Sequence, residues 1–168
     1  MLLGGLTLSS ARADVFGEYQ VKAAFLYNFT KFIEWPPERF ADATSPIVIG
    51  VLGRNPLGDE LEKIVRGRRV NGRAILVKFL PTADDISSVH LLFVPAGEET
   101  RLPATAWPQA AVVVVGESEA CTALGGTIGF TRDADKIRFS INLESAEGRG
   151  LKISAQLLKL ATAVRRKS

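Results

Sequence analysis

Residues 47–58 run Ile47-Val48-Ile49-Gly50-Val51-Leu52-Gly53-Arg54-Asn55-Pro56-Leu57-Gly58, an apolar and largely β-branched run that passes into a turn. A short apolar run almost without polar alternation is typical of a strand buried on both faces of a parallel sheet. Similar runs follow at Ala74 to Leu80, Leu91 to Val94 and Ala111 to Val115. The segments between them, Leu57 to Arg66, Ala83 to Val89 and Glu98 to Trp107, are long enough for crossover helices. The pattern predicts βαβ units.

The pattern changes after Gly125-Gly126. Thr127 to Thr131 and Lys136 to Asn142 are two strand-like runs joined only by residues 132–135. Because that connection is too short for a parallel crossover, the two runs are predicted to form an antiparallel hairpin. The predicted fold class is therefore α/β. We expect one Rossmann-like or flavodoxin-like domain of three layers, with a mixed sheet, a C-terminal hairpin and a closing C-terminal helix.

Two segments outside the sheet have helical spacing. From Tyr19 to Trp35, one face collects Val21, Phe25, Leu26, Phe29, Phe32 and Ile33, and the other carries Gln20, Tyr27, Lys31 and Glu34. Pro36-Pro37 is expected to end this helix. A turn-rich link, Leu143 to Gly150, precedes a closing helix predicted over Leu151 to Val164. Its apolar arc is wider than one face requires, so we expect burial on more than one side.

Residues 1–13 have the character of a secretory signal. Leu2 to Ser10 is a short apolar run, and Ala11-Arg12-Ala13 is a small-x-small cleavage site before Asp14. A positively charged segment before the run is missing, so a hydrophobic segment docked on the domain is the alternative. The run is too short for a membrane span. We expect residues 14–168 to be one exported, soluble, periplasmic domain.

Composition excludes several classes of function. The 21 basic and 18 acidic residues of this 168-residue chain are interspersed, so the net charge of +3 predicts no nucleic-acid surface. A single histidine, His90, leaves no His-rich metal site, and a single cysteine, Cys121, leaves no internal disulfide. Cys121 is either buried or free for intermolecular pairing, and burial is the favoured alternative.

The residues predict neither catalysis nor a cofactor. Ser118 has no predicted base near it, His90 opens an apolar strand, and a Gly-x-Ser-x-Gly motif is missing. The loop after Ile47 to Leu52 could hold an anion at Arg54, although it lacks the P-loop residues. We therefore predict no catalytic, metal or cofactor residue and retain Arg54 as a candidate anion site.

Two parts of the chain resemble the YfiR family. The first is Glu18 to Pro36, with the sequence EYQVKAAFLYNFTKFIEWP. The second comprises Gly125 to Phe130, Ile141 to Leu143 and Gly150 to Ala161. The resemblance extends over nearly all of the chain after residue 13 and includes the central strands.

The resemblance implies a periplasmic regulator and not an enzyme. The best-understood member of the family represses the periplasmic sensor domain of an inner-membrane diguanylate cyclase. That member is itself sequestered by an OmpA-type outer-membrane lipoprotein. Release of the cyclase raises cyclic-di-GMP and favours biofilm formation. That member is cross-linked by disulfides, whereas this chain has only Cys121. Redox control by such disulfides is therefore not expected here.

An exported domain without convergent polar residues also fits a binding module. The candidate partner contacts are Tyr27 on the first helix, and Arg149, Lys152, Leu157 and Leu160 in or beside the last. The alternative is that the last helix packs only on its own sheet or forms a homodimer. A small-ligand or anion-binding module without a cyclase partner is the second functional hypothesis.

Overall fold

The computed structural model describes residues 6–102 and 110–166. The helices are α1 (Leu6–Phe32), α2 (Glu60–Val65), α3 (Glu119–Ala123), α4 (Leu143–Gly148) and α5 (Ala155–Leu160). The strands are β1 (Ile33–Glu34), β2 (Ile47–Leu52), β3 (Arg69–Val70), β4 (Arg73–Leu80), β5 (Leu91–Val94), β6 (Val113–Gly116), β7 (Ile128–Asp133), β8 (Lys136–Asn142), β9 (Lys152–Ile153) and β10 (Ala163–Arg165). Short 3₁₀ turns span Pro37–Arg39, Ala83–Ser88 and Glu98–Arg101.

The main sheet has the order β10-β8-β7-β6-β5-β2-β4-β3. Its centre is parallel, with β4, β2, β5, β6 and β7 side by side, which is the flavodoxin-like order. β7 and β8 form the predicted antiparallel hairpin, in a register that sets Phe130 opposite Phe139. The mixed α/β fold class is confirmed. β2, β5 and β8 have the predicted bounds, and the other predicted strands shift by a residue or two.

Each face of the sheet buries its own apolar cluster. Leu91 and Phe93 of β5 pack into the cluster beneath α1, whereas Leu92 and Val94 pack into the opposite cluster with Cys121. Successive side chains of a strand point to opposite faces, so an apolar run without alternation fits a sheet covered on both sides. The three-layer arrangement follows from these two clusters.

The first helix differs from its predicted bounds. α1 begins at Leu6 and ends at Phe32, and Ile33–Glu34 forms β1, which pairs with β9. The helix passes through Ala13, after which cleavage is expected, and removal of residues 1–13 stays a prediction.

The prediction that Tyr27 lies on the exposed, polar face of the first helix is wrong. Its side chain is only 9% exposed and lies beneath Lys31 and Arg68, whose cationic groups sit 4.4 and 5.4 Å from the ring centroid.

The predicted closing helix, Leu151 to Val164, is wrong in its bounds. Only α5 is helical, with Ser154 as its N-cap, and strands β9 and β10 flank it. The expected turn-rich link before it is α4, capped by the Asn142 side chain. Two expected crossover helices are instead 3₁₀ turns, and the part of Glu98 to Trp107 from Pro103 onward lies outside the described residues.

Candidate functional site

The carboxyl ends of the parallel strands are where open α/β sheets bind their ligands. Here this edge holds a cluster of polar groups that we name the carboxyl-end cluster. Its members are Glu18, Tyr19 and Lys22 of α1, Ala96 after β5, and Glu117 after β6. Ala96 and Glu117 follow parallel strands, so their loops belong to this edge by topology, whereas the α1 side chains that meet them were not identified from the sequence.

Glu117 is the centre of the carboxyl-end cluster. One of its oxygens, Oε1, lies 2.7 Å from Lys22 Nζ. The other, Oε2, accepts from the Ala96 backbone N–H at 2.6 Å and from the Tyr19 hydroxyl at 3.3 Å. Lys22 Nζ also lies 2.6 Å from Glu18 Oε1. These bonds fasten α1 to two loops of the sheet.

The ion pair is buried. The Lys22 and Glu117 side chains are 6% and 3% exposed. Burial lowers the pKa of Lys22, but the hydrogen bonds to Glu117 and Glu18 outweigh it, so that pKa is raised. Burial, followed by the charge of Glu117, raises the pKa of Tyr19. Each of these polar groups therefore has a partner within the chain, and a ligand could use it only by breaking that bond.

Arg54, the candidate anion site, lies in the neighbouring loop after β2. Its guanidinium Nη2 donates to the Ala96 carbonyl at 3.1 Å, and its backbone N–H donates to Glu98 Oε1 at 3.3 Å. Glu98 also pairs with Arg101, and this pairing lowers the pKa of the Glu98 carboxyl. The Glu98 carboxylate thus accepts a hydrogen bond from the Arg54 backbone N–H, which a bound anion would otherwise use.

The predicted partner contacts do not share one environment. Leu157 is 2% exposed and belongs to the core under α1, whereas Leu160 on the same helix is 62% exposed. Arg149 is half-buried, and its guanidinium donates to the Gly125 carbonyl at 2.9 Å. Lys152 is exposed on β9 and pairs in register with Glu34. Leu160 and Lys152 therefore face solvent, and Tyr27 and Leu157 stabilise the core.

His90 lies in the core, and both of its ring nitrogens have hydrogen-bond partners. The Val48 backbone N–H donates to Nδ1 at 3.0 Å, so the ring proton lies on Nε2, 3.2 Å from the Arg39 carbonyl. Phe40 stacks on the imidazole at 4.5 Å between centroids. Burial lowers the pKa of His90, and the charges of Arg39 and Arg73 act in the same direction.

We expect the stability of the protein to fall on acidification because of His90. A pKa lowered in the folded state means that the unfolded chain takes up the proton first. The contribution is complete above about pH 6.5 and is lost as the pH falls toward the folded pKa, at a limiting slope of about 1.4 kcal/mol per pH unit. Urea unfolding at a series of pH values measures it. In His90→Asn, whose amide oxygen can still accept from Val48, the slope should be shallower; an equal slope would exclude His90 as its source.

The thiol of Cys121 lies in the core. Cys121 is fully buried, and burial raises the pKa of its thiol to about 12, so burial, the favoured alternative, is confirmed. Within residues 6–102 and 110–166, no three His, Cys, Asp or Glu side chains are grouped so as to hold a metal ion. In that same part of the chain no helix is long and apolar enough to cross a membrane.

Comparison with protein families identifies a match over most of the chain. A family model described as YfiR/HmsC-like matches residues 19–162, which run from α1 to the residue before β10. No curated protein matches the chain.

Proposed function

The chain belongs to the YfiR/HmsC-like family, as its sequence resemblance indicated, and from this premise we propose that it is an exported regulatory binding protein. In this proposal it binds the periplasmic sensor domain of an inner-membrane diguanylate cyclase and represses it. Repression lowers cyclic-di-GMP and limits biofilm formation. An OmpA-type outer-membrane lipoprotein is the proposed antagonist that sequesters the repressor.

One observation carries the proposal beyond family membership. The carboxyl-end cluster lies at the edge where a flavodoxin-like sheet would hold a substrate or cofactor, and its central charges, Lys22 and Glu117, are already paired with each other and buried. A domain whose ligand edge is closed by its own ion pair is better suited to binding through its surface. The small-ligand or anion alternative at Arg54 has less support, because Glu98 already occupies the loop's backbone donor.

Leu160 is the best residue for testing the proposed partner surface. It is 62% exposed, so Leu160→Ser removes an apolar contact without opening the core. We expect the variant to unfold at the wild-type temperature and to bind the cyclase periplasmic domain about tenfold more weakly, equivalent to about 1.4 kcal/mol. Calorimetric titration measures the affinity, and cyclic-di-GMP levels in a complemented deletion strain measure repression.

Two controls distinguish an error in the proposed partner surface from an error in the proposed repressor role. Val21→Ser removes an exposed apolar side chain from α1 and should bind and repress like the wild type. If Leu160→Ser also binds normally, the contact lies elsewhere and the repressor role survives. If deletion of the gene leaves cyclic-di-GMP unchanged, the repressor role itself is wrong. Leu157→Ser cannot test the partner surface, because replacing this buried side chain would destabilise the fold itself.

A further inference from the structure

The outer edge of β4 is an unpaired strand edge. β3 covers only its beginning, through the pairs Arg69 with Ala74 and Val70 with Arg73. In the part of the chain that the structure describes, no other strand pairs with this side of β4. Residues 75–79 therefore form an open edge, which we name the β4 edge. Unpaired edges of this kind can accept another chain as an added strand.

The direction of the backbone groups follows from one hydrogen bond and one strand pairing. The Gly53 N–H donates to the Leu80 carbonyl, so the backbone groups of Leu80 face the β2 side. Successive residues of a strand alternate, and the N–H and C=O of one residue point the same way. The backbone groups of Ile75, Val77 and Phe79 consequently face outward. The two-residue turn Asn71-Gly72, with φ of 50° and 77°, supports this direction. The turn pairs Arg73 with Val70 of β3, so the backbone groups of Arg73 face outward as well.

The β4 edge is also apolar and exposed. Leu76 is 52% and Phe79 is 45% exposed, on opposite faces of the strand. Natural edges are commonly protected by a lysine that projects over them. Lys78 is the one charged residue of the β4 edge, and its Nζ donates to Ser88 Oγ at 3.0 Å. The ammonium is thereby held against the 3₁₀ turn Ala83–Ser88 instead of guarding the edge.

Cationic groups lie at the end of the β4 edge where β3 begins. Arg66, Arg68 and Arg69 are exposed, and none forms an ion pair within the described ranges. These exposed guanidinium groups favour an anionic partner. From the open backbone groups and this charge, we propose that the β4 edge binds an extended segment of a partner protein. That segment has alternating apolar side chains and an acidic residue beside Arg69.

A second copy of the chain fits the β4 edge less well. If two copies paired antiparallel about Val77, Leu80 of one copy would lie opposite Ala74 of the other. That position is already taken by Arg69 in the β3 pairing. The free edge is thus short and closed at one end, which suits a short segment whose chain can turn away. This inference does not depend on the proposed repressor role.

A peptide binding experiment tests the proposal. The probe is acetyl-Glu-Val-Thr-Val-Thr-Val-Glu-amide, titrated into the ¹⁵N-labelled protein while the amide signals of residues 75–79 are followed. We expect saturable shifts at Ile75, Val77 and Phe79. Val77→Pro removes an outward N–H without interrupting the hydrogen bonds to β2, so it should weaken binding at least about tenfold. Val77→Thr keeps the N–H and should bind like the wild type.

A modified peptide keeps the test valid if Val77→Pro fails to fold. The same probe, N-methylated at alternate amides, cannot complete the backbone hydrogen bonds and should not shift these signals. Equal binding of the methylated probe, or of folded Val77→Pro, would overturn the proposal. So would a concentration-dependent dimer that Val77→Pro abolishes while the probe fails to bind the wild type, since a second copy would then be the occupant.

Discussion

Replacement of Gly116 by alanine is expected to lower the free energy of unfolding by about 3 kcal/mol or more. Gly116 ends the central strand β6, and α3 packs directly over it. A Cβ at this position would lie 2.3 Å from Cys121 Cβ and 2.4 Å from its Sγ. Neither strand nor helix can move without disturbing the core on that face, so the overlap is relieved only by unpacking α3. Urea unfolding followed by circular dichroism measures the loss.

The companion variants identify Cys121 as the cause. Gly116→Ala with Cys121→Ala should stay unstable, because the Cβ of residue 121 remains. In the double variant Gly116→Ala with Cys121→Gly, the free energy of unfolding should return toward the wild-type value. The remaining deficit should be about 1 kcal/mol, the cost of a glycine within a helix. Gly148→Ala is the matched control, because a Cβ there meets nothing within 4 Å. A wild-type unfolding midpoint for Gly116→Ala would contradict the packing of α3 on β6.

The central strands could be predicted because their burial is encoded locally. Ile47 to Leu52 and Leu91 to Val94 lie on both apolar clusters at once, and the absence of polar alternation follows from that position. The hairpin of β7 and β8 was predictable for another local reason, namely a connection too short for any parallel crossover. These features needed no knowledge of distant parts of the chain.

The last segment could not be predicted in the same way. The apolar spacing of Leu151 to Val164 is compatible with a helix, but β9 pairs with β1 and β10 pairs in parallel with β8. These pairings join residues far apart in sequence, and they override local helix propensity. Leu157 and Leu160 look equivalent in the sequence, yet one is core and the other surface.

The carboxyl-end cluster was predictable only in part. Glu117 follows a buried strand, which marked its loop as part of the ligand edge, and Glu18 and Lys22 have the spacing of an ion pair on a helix. That Lys22 reaches Glu117, 95 positions along the chain, depends on how α1 crosses the sheet. Helical periodicity placed the apolar face of α1 but did not reveal that a lysine is buried within it.

Substitution of Lys22 by methionine is expected to lower the free energy of unfolding by about 3–5 kcal/mol. Methionine keeps most of the apolar length of the side chain, including its packing near the Phe130 ring, and removes the charge. Glu117, 3% exposed, then keeps its bonds to Ala96 and Tyr19 but loses its cation. A buried carboxylate without a counterion is far costlier than a missing ion pair. Urea unfolding at pH 7 measures the difference.

Two further variants separate the buried charge from the loss of a lysine in general. In Lys22→Met with Glu117→Gln, the glutamine oxygen can still accept hydrogen bonds and no charge is left unpaired, so most of the lost stability should return. Lys63→Met removes a lysine of α2 that is 56% exposed. It is paired with Glu60 of the same helix and with the N-cap residue Asp59. Because water screens that pairing, its loss should cost much less stability than the loss of the buried Lys22. If Lys22→Met costs no more than Lys63→Met, Glu117 must reach solvent or another cation. The carboxyl-end cluster would then be an open edge that could accept a ligand.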